Sequence, residues 1–122
     1  LATPELSDAA AKQAVVASGY NGERTVVMAP MDYPQLGTFG LVAADLLKRI
    51  GMNVDFQPMD SATMGERYTN REPVAKGGWS LFMTSGSMPS MLNPALNSYI
   101  RGQGPKGWIG WYEKPEIEVI AQ

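Results

Sequence analysis

Nine residues in two short stretches carry most of the chemistry this sequence can offer. They are Met31, Asp32 and Tyr33 in one stretch, and Thr84, Ser85, Gly86, Ser87, Met88 and Met91 in the other. These types suit recognition. Asp32 can pair with a cation, the hydroxyls can donate and accept, and the methionines give an adaptable apolar contact surface. They do not suit acid–base or nucleophilic catalysis. The chain has no histidine and no cysteine, so it lacks the usual general base near neutral pH, the commonest metal ligand and all thiol chemistry. No Ser-His-Asp set can exist, which argues against an enzyme. Each residue also has an ordinary structural role open to it. Asp32 stands where a helix N-cap is expected. Tyr33 can pack on the surface, Met88 and Met91 can be core, and the serines can satisfy their own loop.

Other constellations fall short. Gly102-x-Gly104 neither follows a strand nor opens a helix, so it is not a dinucleotide fingerprint. Gly37 and Gly40 lack the Lys-Ser/Thr of a phosphate loop. Asp32, Asp55 and Asp60 resemble an acidic phosphoacceptor pocket, but no acid ends the first strand and no lysine ends the third.

The elements that must position these residues can be read from spacing. Phe39, Val42, Ala43, Leu46, Leu47 and Ile50 recur on one helical face, with Lys48 and Arg49 in the last turn and Gly51 as the stop. Before this helix, residues 25–29 form an apolar run of strand length, ended by Pro30. After it, residues 53–59 alternate and contain Pro58, which predicts an edge strand. A first helix starts at the cap Ser7, shares Ala11, Ala14, Val15 and Ser18 on one face, and closes at Gly19; its small residues predict close packing. Asp60 or Ser61 caps a third helix running to about Asn70, and residues 79–84 form a third strand. Asn93-Pro94 starts a fourth helix reaching about Arg101. Trp108 and Trp111 pin the glycine-rich stretch after it, and Pro115 begins a last helix.

Strand, helix, strand makes the strands parallel, and right-handed crossovers give an α/β fold with a three-stranded sheet of order 2-1-3. Helices cover both faces, a three-layer arrangement. The order reverses beside the first strand, so a crevice opens between the two loops named at the outset, both of which precede helix N-termini.

The totals fit one domain of 122 residues. With 44% hydrophobic and 18% charged residues the composition is that of an ordinary globular protein. A net charge of −2 and scattered Lys and Arg exclude a nucleic-acid stripe, and no run reaches transmembrane length. No cofactor or metal site is indicated. Leu1 is not an initiator methionine, nothing reads as a signal peptide, and residues 115–122 start a helix with no stop signal. The chain therefore reads as a piece of something longer.

The succession AKQAVVASGY, NGERTVVMAP, DLLKRIGMNVDFQPMD, GGWSLFMT, NPALNSYIRG and GWIGWYEKPEIEVIAQ resembles the peptide/nickel-type extracellular solute-binding proteins of ABC importers (family 5). AKQAVVASGY from Ala11 to Tyr20 is similar to that family's "A-LL-AGY" helix and turn, and GWIGWYEKPEIEVIAQ is similar to its "y-nPe-d-li" end. The likeness spans essentially the whole chain. The resemblance implies that residues 1–122 are a single α/β domain, part of the C-terminal lobe of a two-lobed protein of the periplasmic-binding-protein type II architecture. It implies a periplasmic location, a small-molecule or peptide-like solute trapped between lobes, an ABC permease as membrane partner, and no catalytic activity. The sequence departs from the family at one point. Peptide binders usually carry an Asp after the third strand that holds the peptide's amino group, whereas residues 83–98 contain no charge. A less charged or differently anchored solute is implied, and Met88 and Met91 fit an apolar part.

Two other readings stay open on the residues alone: a stand-alone α/β ligand-sensing or protein-interaction domain, and an enzyme domain. A missing lobe would expose crevice surface, so self-association through Met31, Tyr33, Met88 and Met91 is also expected.

Overall fold

The computed structural model describes residues 7–86, 91–92 and 97–120. The chain divides into two compact units, Leu1–Met83 and Thr84–Gln122.

The first unit runs α1 (Asp8–Ala17), β1 (Arg24–Pro30), α2 (Pro34–Arg49), β2 (Asn53–Met59), α3 (Ser61–Arg67), a 3-10 turn over Val74–Lys76, and β3 (Leu81–Phe82). Its strands form one parallel sheet in the order β2-β1-β3, as the crossover argument requires. β1 pairs with β2 along its whole length, from Arg24 opposite Asn53 to Pro30 opposite Met59. Met59 turns its carbonyl to β1, where it accepts from the Met31 N–H at 2.8 Å. Neighbouring residues alternate in direction, so Pro58 turns its nitrogen to the open edge and no ladder bond is lost.

β3 is shorter than the strand expected over residues 79–84. The reason lies in its side chains. The Ser80 hydroxyl accepts the Val26 N–H at 3.1 Å, in place of a backbone carbonyl. The Trp79 indole N–H donates to the Tyr68 carbonyl at 3.0 Å, drawing that residue toward α3. α3 likewise ends at Arg67, short of Asn70, where Tyr68 serves as its C-cap.

β1 is the centre of the core, with Val26, Val27, Met28 and Ala29 wholly buried. Its side chains alternate between two faces. Val26 and Met28 pack with Met64 of α3, bordered by Met59, Tyr68, Val74, Trp79 and Phe82. Rings there meet at 4.9 Å (Trp79–Phe82) and 5.6 Å (Tyr68–Phe82). The other face carries Ala29 and Phe56 against α2. Helices thus lie on both faces. β2's polar residues fall on the α3 side: Asp55 accepts from Arg24 Nε at 2.9 Å and from Gln57 Nε2 at 2.7 Å, and Arg67 donates to Gln57 Oε1.

α2 departs from the face predicted by its bulky residues. Gly37, Gly40 and Ala44 are the buried positions, while Phe39 is 63%, Val42 60% and Leu46 44% exposed. Of the predicted stripe only Ala43, Leu47 and Ile50 are half-buried. The cause is close approach. A Cβ at Gly40 would lie 2.4 Å from Ala29 Cβ, so the helix seats its bare backbone on the strand and turns the larger residues outward. α1 corrects another expectation: Ser7 caps it as predicted, accepting from the Ala10 N–H at 3.2 Å, but none of its residues is buried. Its alanines offer little apolar area. An Asp8–Arg49 pair at 3.6 Å and the Lys12 alkyl chain over Gly51 are among the contacts that hold it.

The second unit has helical backbone at Met91 and Leu92, 3-10 turns over Ser98–Ile100 and Gly104–Lys106, and α4 (Pro115–Ile120). The expected helix start at Asn93-Pro94 lies outside the described residues. The backbone leading to Arg101 is a 3-10 turn, not an α-helix, and Arg101 itself is extended. The glycine-rich stretch is packed down, as expected, by an antiparallel bridge of Gln103 with Glu113. Gly104 N–H donates to Tyr112 O at 2.9 Å, and Lys114 N–H to Gly102 O at 3.0 Å. Gly102 is required there, because a Cβ would lie 2.4 Å from Lys114 O. The next turn closes from Trp111 N–H to Trp108 O at 2.9 Å, with Gly110 at φ 105° and Trp111 at φ 50°.

Candidate functional site

The first candidate loop follows β1. Proline ends the strand, and the Tyr33 N–H turns back to the Pro30 carbonyl at 3.3 Å. Met31, Asp32 and Tyr33 are all exposed. The Met31 sulfur lies 3.1 Å from where a Gly37 Cβ would stand, so the thioether rests on the first turn of α2.

Asp32 does not cap α2. The cap position is Tyr33, which makes no side-chain bond, and Pro34 follows it. Asp32 reaches across to the other helix instead: Oδ1 accepts the Ser61 N–H at 2.9 Å and Oδ2 accepts the Ser61 hydroxyl at 2.6 Å. Asp60 caps the same helix, as predicted, through the Thr63 N–H at 2.9 Å and the Thr63 hydroxyl at 2.7 Å. Two carboxylates therefore serve the positive end of α3. The Ser61 hydroxyl holds the Asp32 carboxyl below its usual value, opposed by desolvation and by the neighbouring Asp60 charge. Asp32 is an anion tied to α3.

The second candidate loop belongs to the other unit. Thr84, Ser85, Gly86 and Met91 are exposed there. Ser87 and Met88 lie outside the described residues. Gly86 and Met91 come together: a Cβ on Gly86 would lie 2.5 Å from Met91 Cε and 3.0 Å from Tyr99 Oη. Asn97 Nδ2 donates to Met91 O at 3.3 Å, and Asn97 Oδ1 accepts the Tyr99 N–H at 3.1 Å. Tyr99 meets Trp108 edge to face, with ring centroids 4.5 Å apart.

In the same unit, Glu118 gathers donors from three consecutive residues. It accepts Arg101 Nε at 2.9 and 3.0 Å, the Gly102 N–H at 2.8 Å and Gln103 Nε2 at 3.2 Å. The Arg101 guanidinium, with the help of the Gly102 amide and Gln103, lowers the Glu118 carboxyl to about 2.

Sequence reasoning missed the Asp32–Ser61 bonds, Tyr99 and the Arg101–Glu118 pair. A tyrosine two residues after a capping Asn was the available signal for Tyr99; the Ser61 and Glu118 contacts are tertiary and left none. Among the described residues no group of three or more Asp, Glu, His or Cys could hold a metal, and no helix is long and apolar enough to cross a membrane.

No family model matches the chain. Over 110 residues it is 32% identical to a probable peptide ABC transporter periplasmic-binding protein of Sinorhizobium fredii. The match covers 90% of this chain and 21% of that protein, so the chain spans about a fifth of the relative's length. The chain is a distant homologue of a peptide ABC transporter periplasmic-binding protein.

Proposed function

We propose that the chain is part of the substrate-binding component of an ABC importer, from the C-terminal lobe of a two-lobed periplasmic protein of the family 5 type. It captures a small peptide-like or other organic solute and hands it to a membrane permease, without catalysing a reaction. The homology carries this reading. The parallel sheet supports it, since ligands of such sheets bind beyond the C-terminal ends of the strands. In the sequence Met31, Asp32 and Tyr33 follow β1, and Thr84, Ser85, Gly86, Ser87, Met88 and Met91 come after β3. Closure of a second lobe over these loops supplies the rest of the burial.

The test is hydrogen exchange on the intact polypeptide, with and without the small molecules recovered from its native periplasm. Solute should protect the amides of residues 31–33 and 84–91. Binding that protects neither loop would overturn this placement of the site. Absence of any bound or binding solute would overturn the transport reading.

A further inference from the structure

Two side chains of the second unit, Met91 and Tyr99, converge on one bare α-carbon. A Cβ at Gly86 would lie 2.5 Å from Met91 Cε, 3.0 Å from Tyr99 Oη and 3.2 Å from Tyr99 Cε2. The thioether methyl and the ring edge therefore lie directly against the loop backbone. The backbones of both residues are tied to one side chain. Asn97 bonds the Met91 carbonyl with its amide nitrogen and the Tyr99 N–H with its amide oxygen. Trp108 stands against the Tyr99 ring at 60°. Met91 is 40% exposed and Tyr99 half-buried, so the pair offers a partly covered apolar surface next to the loop.

This surface is electrically neutral. Residues 83–98 carry no charge, and Arg101, the first cation beyond them, is engaged with Glu118. A charged group brought onto the surface would lose hydration and find no opposite charge in the loop. An apolar group would gain burial and contact with sulfur and ring.

We propose that Tyr99, seated against Gly86 and Met91, is a specificity-determining residue that selects a solute bearing an uncharged, apolar side group. This rests on the reading of residues 84–91 as a solute-contacting loop. Gly86 sets the depth of the seat and Tyr99 forms its wall.

The test uses the 122-residue chain, labelled for amide NMR, and four blocked amino acids at millimolar concentration: the N-acetyl amides of phenylalanine, leucine, lysine and glutamate. The phenylalanine and leucine compounds should shift the Gly86, Met91 and Tyr99 amide signals, and the lysine and glutamate compounds should not. Tyr99→Phe should keep the shifts and Tyr99→Ala should lose them. Gly86→Ala, whose Cβ would stand 2.5 Å from Met91 Cε and 3.0 Å from Tyr99 Oη and so fill the seat without removing the Tyr99 ring, should lose them too, so the outcome does not hinge on how well Tyr99→Ala folds. Equal shifts from the charged compounds, or shifts that survive both Tyr99→Ala and Gly86→Ala, would overturn the role of Tyr99 and leave the loop reading standing. No shift in residues 31–33 or 84–91 with any compound would overturn the loop reading, and this inference with it.

Discussion

Replacing Gly40 by alanine adds one methyl group where the structure has no room for it. The new Cβ would stand 2.4 Å from Ala29 Cβ, with Phe56 Cε2 at 3.4 Å and Met83 Cγ at 3.5 Å. Carbon atoms pack at about 3.5–4.0 Å, so α2 must lift from β1 by roughly 1 Å or rotate. Ala29 is part of the strand backbone's immediate surroundings and wholly buried, so it cannot swing away as a long side chain would. Overpacking of this kind costs about 1–3 kcal/mol. Against it, alanine is better than glycine inside a helix by about 1 kcal/mol. The net expectation is a loss of about 0–2 kcal/mol. Gly65 supplies the control, since it lies in α3 and a Cβ there meets nothing within 4 Å. Gly65→Ala should stabilise by up to about 1 kcal/mol. Urea unfolding followed by circular dichroism measures both. Ala29→Gly combined with Gly40→Ala should recover much of the loss, because it removes the atom that clashes. If Gly40→Ala stabilises as much as Gly65→Ala, α2 is not seated on β1 through its glycine face, and the burial of Gly37, Gly40 and Ala44 is wrongly explained.

Three further outcomes are expected. Acid should loosen the second unit: the Glu118 carboxyl is lowered from 4.5 to about 2, so its contribution is fully present above about pH 4.5 and is lost as pH falls toward 2; Glu118→Gln should flatten that part of an acid titration followed by Trp108 fluorescence. Asp32→Asn keeps an acceptor for the Ser61 N–H but loses the charge, so it should cost less stability than Asp32→Ala in thermal unfolding, and its solute affinity in the intact protein should stay unchanged if Asp32 serves only α3. The chain should self-associate through Met31 (44% exposed), Tyr33 (57%) and Met91 (40%); a sedimentation profile that stays monomeric at high concentration would count against it.

Local signals carried much of the fold. Ser7, Asp60, Gly19 and Gly51 mark helix ends by their own backbone and side-chain chemistry, and β1 is apolar because it is covered on both faces. α2 shows where periodicity misleads. Counting bulky residues selects Phe39, Val42 and Leu46, yet a helix lying close on a strand is oriented by what is missing, and Gly37, Gly40 and Ala44 stand at the required 3 and 4 spacing. Asp32 shows a different limit. It sits at the expected cap position, but its partner is 29 residues away, and no local pattern reveals a carboxylate shared with another helix. The two candidate loops are chosen because they follow strand ends; the position of Tyr99 has no such signal, because it is set by the empty space at Gly86.

The orientation of Pro58 bears on how the sheet behaves toward other chains. A strand adding to the free side of β2 needs a row of amide donors. Val54 and Phe56 supply two, and the third position is a proline with none. On the opposite side β3 offers two residues. Neither border of this sheet can template a long ladder, so growth into stacked fibrils is interrupted at its first step. Pro58→Val would restore the missing donor while leaving the pairing with β1 intact, and it would convert a guarded border into one open to strand addition.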